Sequence, residues 1–88
     1  MKEVLYFKMR FCPHCNRADK WMKKVFKEHP EYKDVPLKII DENKEYELAN
    51  SYDYYFVPTY YIDGEKLHEG VASKEIIEKV FEKAYNAK

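Results

Sequence analysis

Cys12-Pro13-His14-Cys15 holds the only two cysteines of the chain, three positions apart, between an apolar strand-like run and a helix-like pattern. A redox dithiol requires that placement: one cysteine at the exposed first turn of a helix, the other one turn further on. Unpaired backbone N–H groups and the helix macrodipole favour negative charge at a helix N-terminus, so a thiolate at Cys12 is favoured there. Thiolates, not thiols, attack disulfides. The spacing also lets Cys15 reach back, close a small ring with Cys12 and expel whatever Cys12 has bonded. These four residues therefore point to thiol–disulfide exchange, with Cys12 as nucleophile and Cys15 as resolving thiol. The competing uses are a structural disulfide and half of a zinc site, and zinc asks for four ligands. Among the histidines, His14 lies between the cysteines, where its ring would have difficulty sharing their ion. His29 falls at the far end of the predicted helix, and His68 completes the set. No metal ligand is assigned.

Upstream, Val4-Leu5-Tyr6-Phe7 reads as a strand buried on both faces. Downstream, a helix is expected from Cys15 to about His29, with Ala18, Met22, Val25, Phe26 and His29 at helical spacing, lysines opposite, and Pro30 ending it. Trp21 belongs at the core or its edge. Val35 to Ile40 reads as an edge strand, marked by its proline and internal lysine. A short helix from Asn43 to about Tyr52 should turn Tyr46, Ala49 and Tyr52 inward. Val57 to Ile62 is a third strand, Asp63-Gly64 a tight hairpin signal, and Glu65 to Glu69 the returning strand. Ser73 is an N-cap for a last helix with the stripe Ile76, Ile77, Val80, Phe81 and Ala84. The order β-α-β-α-β-β-α implies a four-stranded mixed sheet with helices on both faces, the first crossover right-handed and the hairpin antiparallel.

Eighty-eight residues make one small domain, spanning residues 1–88. Sixteen basic and sixteen acidic residues cancel, which leaves no electrostatic footprint for nucleic acid or an anionic membrane. The 36% of charged residues against 45% apolar fit a globular chain and exclude a disordered one. No stretch approaches the ~20 apolar residues of a membrane span. The start, Met1-Lys2-Glu3 and then Val4 to Lys8, is too short and interrupted for a signal peptide. A cytoplasmic location and a monomer are expected, in a compartment where a surviving cysteine pair is more often catalytic than structural.

Cys12-Pro13-His14-Cys15-Asn16-Arg17-Ala18 resembles the active site of glutaredoxins, where proline and an aromatic residue commonly separate the cysteines. Val57-Pro58-Thr59 resembles the second signature of the thioredoxin superfamily, in which the proline is cis and faces the dithiol. Gly64-Glu65-Lys66 followed by Gly70 resembles the passage from hairpin to last helix in both thioredoxins and glutaredoxins. The resemblance covers nearly the whole chain and implies the minimal thioredoxin fold. It also implies that the backbone of Val57, beside a cis Pro58, pairs with an extended substrate segment.

Departures refine the resemblance. Thioredoxins usually have Gly-Pro between the cysteines and a buried acid behind them, but Val4 to Phe7 contains no acid. Glutaredoxins usually show a Gly-Gly pair and an acid before the last helix, where this chain has Gly70-Val71-Ala72-Ser73. Glutathione is therefore expected to bind poorly.

His14 and Pro13 are expected to tune the Cys12 thiolate, and Lys8 and Arg10 to add positive potential. Of the six aromatic residues between Tyr52 and Tyr61, most should pack the core, with Tyr54 or Tyr55 flanking a substrate groove. The reading is a dithiol oxidoreductase that reduces protein or small-molecule disulfides. It needs no bound cofactor and takes reducing equivalents from a thioredoxin-reductase-type enzyme or from glutathione. The alternatives are a glutathione-dependent glutaredoxin proper and an iron–sulfur or metal-binding module that uses Cys12.

Overall fold

Val4–Lys8 forms β1, and its apolar run is buried because it becomes the centre of the sheet: Val4, Tyr6 and Phe7 are fully covered. The structure is a computed structural model that describes residues 1–88. β2 (Leu37–Asp41) pairs with β1 in parallel; β3 (Thr59–Ile62) pairs with it antiparallel, and β4 (Glu65–Glu69) completes the order β2-β1-β3-β4. The lysine-bearing strand is at an edge, as its composition predicts. The β3–β4 hairpin turns on Asp63 and Gly64, both at positive φ, 51° and 81°. That is the requirement of the primed two-residue turn which Asp-Gly meets.

Helices cover both faces. α1 (Pro13–Glu28) and α3 (Lys74–Asn86) pack Ala18, Met22, Val25, Ile77, Val80, Phe81 and Ala84 against Val4, Tyr6, Tyr60 and Ile62. On the opposite face, α2 (Tyr46–Asn50) sets Ala49 against Phe7, Ile40 and Tyr61. Ser73 caps α3, its hydroxyl accepting from the N–H of Ile76 at 3.2 Å.

Several element ends differ from the sequence reading, each for a local reason. α1 starts two residues before Cys15, because Pro13, with φ preset and no N–H to satisfy, suits a first helical position. Beyond its end, Pro30–Asp34 forms a 3₁₀ turn that buries Tyr32. Val35 closes that turn by donating to Tyr32 O, so β2 begins only at Leu37. α2 is shorter than expected because the Asp41 carbonyl takes the N–H groups of Lys44 and Glu45, while its carboxylate takes that of Asn43. Tyr46 then stands 61% exposed, not inward. β3 begins at Thr59, two residues late, since Pro58 has no N–H for a ladder.

Candidate active site

The chain leaves β1 at Lys8 and swings into α1 through Met9, Arg10 and Phe11. Phe11 holds a left-handed φ of 57° and is 92% exposed. This turn brings Cys12 to the N-cap of α1 in extended conformation, where its Sγ accepts the backbone N–H of Cys15 at 3.1 Å. The carbonyl of Cys12 accepts the N–H of Asn16. Both thiols are free. Cys12 is a cap and not the exposed first-turn residue of the sequence reading: it is only 5% exposed, between exposed Phe11, Pro13 and His14. His14 makes no hydrogen bond to either sulfur; the donor to Cys12 is backbone. Arg10 makes no hydrogen bond to either sulfur; its backbone N–H donates to Asn43 Oδ1 at 2.9 Å.

Cys15 lies one turn deeper and is fully buried. Burial, reinforced by its contact with the Cys12 sulfur, pushes its thiol up to about 12, while the Met9 N–H and the charge of Lys8 pull the other way. Behind it stands a polar cluster. The Tyr6 hydroxyl donates to the carbonyl of Cys15 at 3.1 Å and to Asp19 Oδ1 at 2.9 Å. Lys8 Nζ meets Asp19 Oδ2 at 2.8 Å. Tyr60 stacks on Tyr6, with ring centroids 4.9 Å apart and planes 9° from parallel.

Sequence reasoning missed Tyr6, Asp19 and Tyr60. It looked for the acid behind the dithiol on the first strand, whereas the helix supplies it. The available signal was helical spacing: Asp19 is four residues after Cys15 and so shares its face. Lys8 does contribute positive potential, through this cluster.

The Val57-Pro58 bond is cis. Phe7 pairs with Thr59, so this bond lies alongside the end of β1 from which the chain turns to Cys12. Pro58 O accepts the N–H of Gly70 at 2.8 Å, while Val57 has no intrachain backbone hydrogen bond. Ahead of it, Glu69 holds the loop by accepting the N–H groups of Tyr55 and Phe56, at 2.5 and 2.9 Å, and pairs with Lys66 at 2.7 Å. Tyr55 and Phe56 are 87% and 68% exposed. Tyr54 instead packs on Phe7 on the α2 side of the sheet, and burial pushes its hydroxyl up to about 12.

A groove of about 440 Å³ runs between α1 and the start of α3, lined by Arg17, Trp21, Lys24, Ala72, Ser73 and Glu75 among others. The one grouping of three metal-capable side chains, Glu28, His29 and Glu78, is at the other end of α1 and includes neither cysteine. No helix is long and apolar enough to cross a membrane.

Comparison with known proteins agrees with this geometry. A family model described as a thioredoxin domain matches residues 3–82. No curated protein sequence matches the chain. Among solved structures, one titled only as a malarial protein is 23% identical, with a TM-score of 0.73 over 96% of this chain and 97% of that one. Oxidised thioredoxin O1 from Arabidopsis thaliana is 22% identical, with a TM-score of 0.72 over 98% of this chain and 79% of that one. An uncharacterised thioredoxin-like protein from Clostridium perfringens is 25% identical, with a TM-score of 0.69 over 96% and 71%.

Proposed function

We propose that this chain, which belongs to the thioredoxin-domain family, is a dithiol oxidoreductase that reduces disulfides in extended protein segments. The observation that carries the reading is the cap: the Cys12 sulfur takes the Cys15 N–H, with the Cys15 thiol buried one turn behind it. A backbone donor at a helix N-terminus stabilises negative charge on that sulfur, which suits Cys12 to attack.

In the first step the Cys12 thiolate attacks one sulfur of the substrate disulfide. A Cys12–substrate disulfide forms and the other substrate sulfur leaves as a thiolate. Cys15 then loses its proton and attacks the Cys12 sulfur. The Cys12–Cys15 disulfide forms, and the second substrate sulfur leaves and takes up a proton. Two electrons have passed to the substrate, and no bound cofactor is needed. Reducing equivalents return through a thioredoxin-reductase-type partner in preference to glutathione, since Val71-Ala72-Ser73 offers no acid for a glutathione ammonium group.

A protein substrate is supported by two features. Val57 has its backbone donor and acceptor unpaired, so an extended segment can add to it as a strand. Exposed Phe11, Tyr55 and Phe56 supply apolar contact on the flanking loops.

The test uses single-cysteine variants. Cys12→Ser should abolish reduction of a protein disulfide, and Cys15→Ser should accumulate a mixed disulfide through Cys12. Faster alkylation of Cys15 than of Cys12 in the reduced protein at neutral pH would show the roles to be reversed.

A further inference from the structure

Tyr60 carries a hydroxyl that the fold leaves unused. The residue is fully buried, and its oxygen is the one buried side-chain oxygen or nitrogen without a hydrogen-bond partner. Burying a hydroxyl unpaired costs free energy that a phenylalanine at the same place would avoid. Its position gives it a use. Tyr60 is the cross-strand partner of Tyr6, and the two rings stack almost parallel, directed from the sheet toward α1. Tyr6 meets the backbone of Cys15 and the carboxylate of Asp19 there, so its own hydroxyl is already committed. Tyr60 stands beside it with a hydrogen to give.

We propose that Tyr60 donates this hydrogen bond to the sulfur of Cys15 when that sulfur becomes a thiolate, and so promotes resolution of the mixed disulfide. The inference rests on the dithiol reading given above. A buried thiolate without donors is costly, and resolution requires one to form.

The groups facing Cys15 divide clearly. From β1 come the Lys8 charge and the committed Tyr6 hydroxyl, and from the turn after it the Met9 N–H; from α1 and its cap come Asp19 and Cys12; on β3, Tyr60 stacks on Tyr6 with its hydroxyl bonded to no group, the Cys15 sulfur included. His14, next in sequence, is exposed. Asp19 opposes a thiolate and is itself held by Lys8 and Tyr6, which leaves Tyr60 as the uncommitted donor. Burial first, then the charges of Asp19 and of an ionised Cys15, hold the Tyr60 proton far above the usual phenol range. Tyr60 therefore acts as a donor and not as a base. The proton released by Cys15 leaves with the expelled substrate thiolate, so the step balances without a co-reactant.

Tyr60→Phe keeps the ring and the stack and removes only the unpaired hydroxyl, so its denaturation midpoint should not fall below that of the wild type. In single-turnover experiments with a labelled peptide disulfide, quenched in acid, the variant should accumulate the Cys12–peptide mixed disulfide. Resolution should slow by ~10- to 100-fold, the worth of one hydrogen bond to a charged group. The rise of the resolution rate with pH should also move to higher pH. Superimposable resolution rates and pH profiles in wild type and variant would overturn the role of Tyr60 while leaving the dithiol reading intact. If Cys15→Ser, which cannot resolve, forms no mixed disulfide with the peptide, the dithiol reading fails, and this inference falls with it.

Discussion

Raising the pH should weaken the reduced protein through Cys15, starting below the range in which the tyrosines titrate. The Cys15 thiol is fully buried and held up to about 12, against an ordinary value of 9.0. Between those two values the unfolded chain has lost this proton and the folded chain keeps it. The folded state therefore binds more protons, and stability falls as pH rises through the window, while below pH 9.0 the contribution is fully present. One pH unit above the unfolded value, at pH 10, the loss approaches ~1.4 kcal/mol, discounted to about 1 kcal/mol for relaxation around the sulfur. Tyr6, Tyr32, Tyr54 and Tyr60 are also held above their ordinary value of 10.0, but their effect is common to any comparison chain that retains them. Cys15→Ala is such a chain; the Tyr6 bond to the carbonyl at this position does not depend on the side chain. Denaturant unfolding at pH 8, 9 and 10, with a non-thiol reductant present, should show wild type losing about 1 kcal/mol more than Cys15→Ala over this range. Parallel curves for the two chains would refute the burial argument.

Three further outcomes are expected. Lys66, then the N–H groups of Tyr55 and Phe56, draw the Glu69 carboxyl down to about 2, so its stabilising effect is present above 4.5 and lost as pH falls toward 2. Glu69→Ala should flatten the acid limb of a melting-temperature profile, and an unchanged limb would count against the loop clamp. Gly70 has φ of +93° and donates to Pro58 O; Gly70→Ala meets only an ordinary 3.9 Å contact with Phe56 Cβ. Its cost of ~1–2 kcal/mol should therefore be conformational, and a neutral substitution in denaturant unfolding would show the turn to be unconstrained. Turnover with a glutathione mixed disulfide should be ~10- to 100-fold slower than with a glutaredoxin assayed in parallel, for want of one charge-assisted contact after Gly70. Glu75 lines the neighbouring groove, but it shares that groove with Arg17, Lys24 and Lys74; equal turnover would show that it serves the ammonium group after all.

What was legible in the sequence was local. The apolar run of β1, the Asp-Gly turn, the Ser73 cap and the stripe of α3 are each set by neighbours within a turn or a hairpin, and each appears where the pattern puts it. Cys12 was legible as a helix-start residue for the same reason, yet its burial was not, because that depends on how Phe11, Pro13 and His14 surround it. The inward reading of Tyr46 failed because periodicity assumed a helix starting three residues earlier, and the Asp41 turn takes up that backbone first.

The cluster behind Cys15 lies at the far end of this scale. Tyr6 and Tyr60 look like ordinary apolar strand positions, and Asp19 looks like one more charge on a solvated helix. Only the β1–β3 register makes the tyrosines neighbours, and only the packing of α1 on that face brings Asp19 and Cys15 to them. A motif therefore places the two cysteine sulfurs together at the start of α1, while the groups that surround the second one are set by tertiary pairing. Two chains with the same four-residue motif can thus differ in how fast they resolve a mixed disulfide. In the dithiol mechanism proposed for this chain, that difference is carried by whether the residue at position 60 has a hydroxyl.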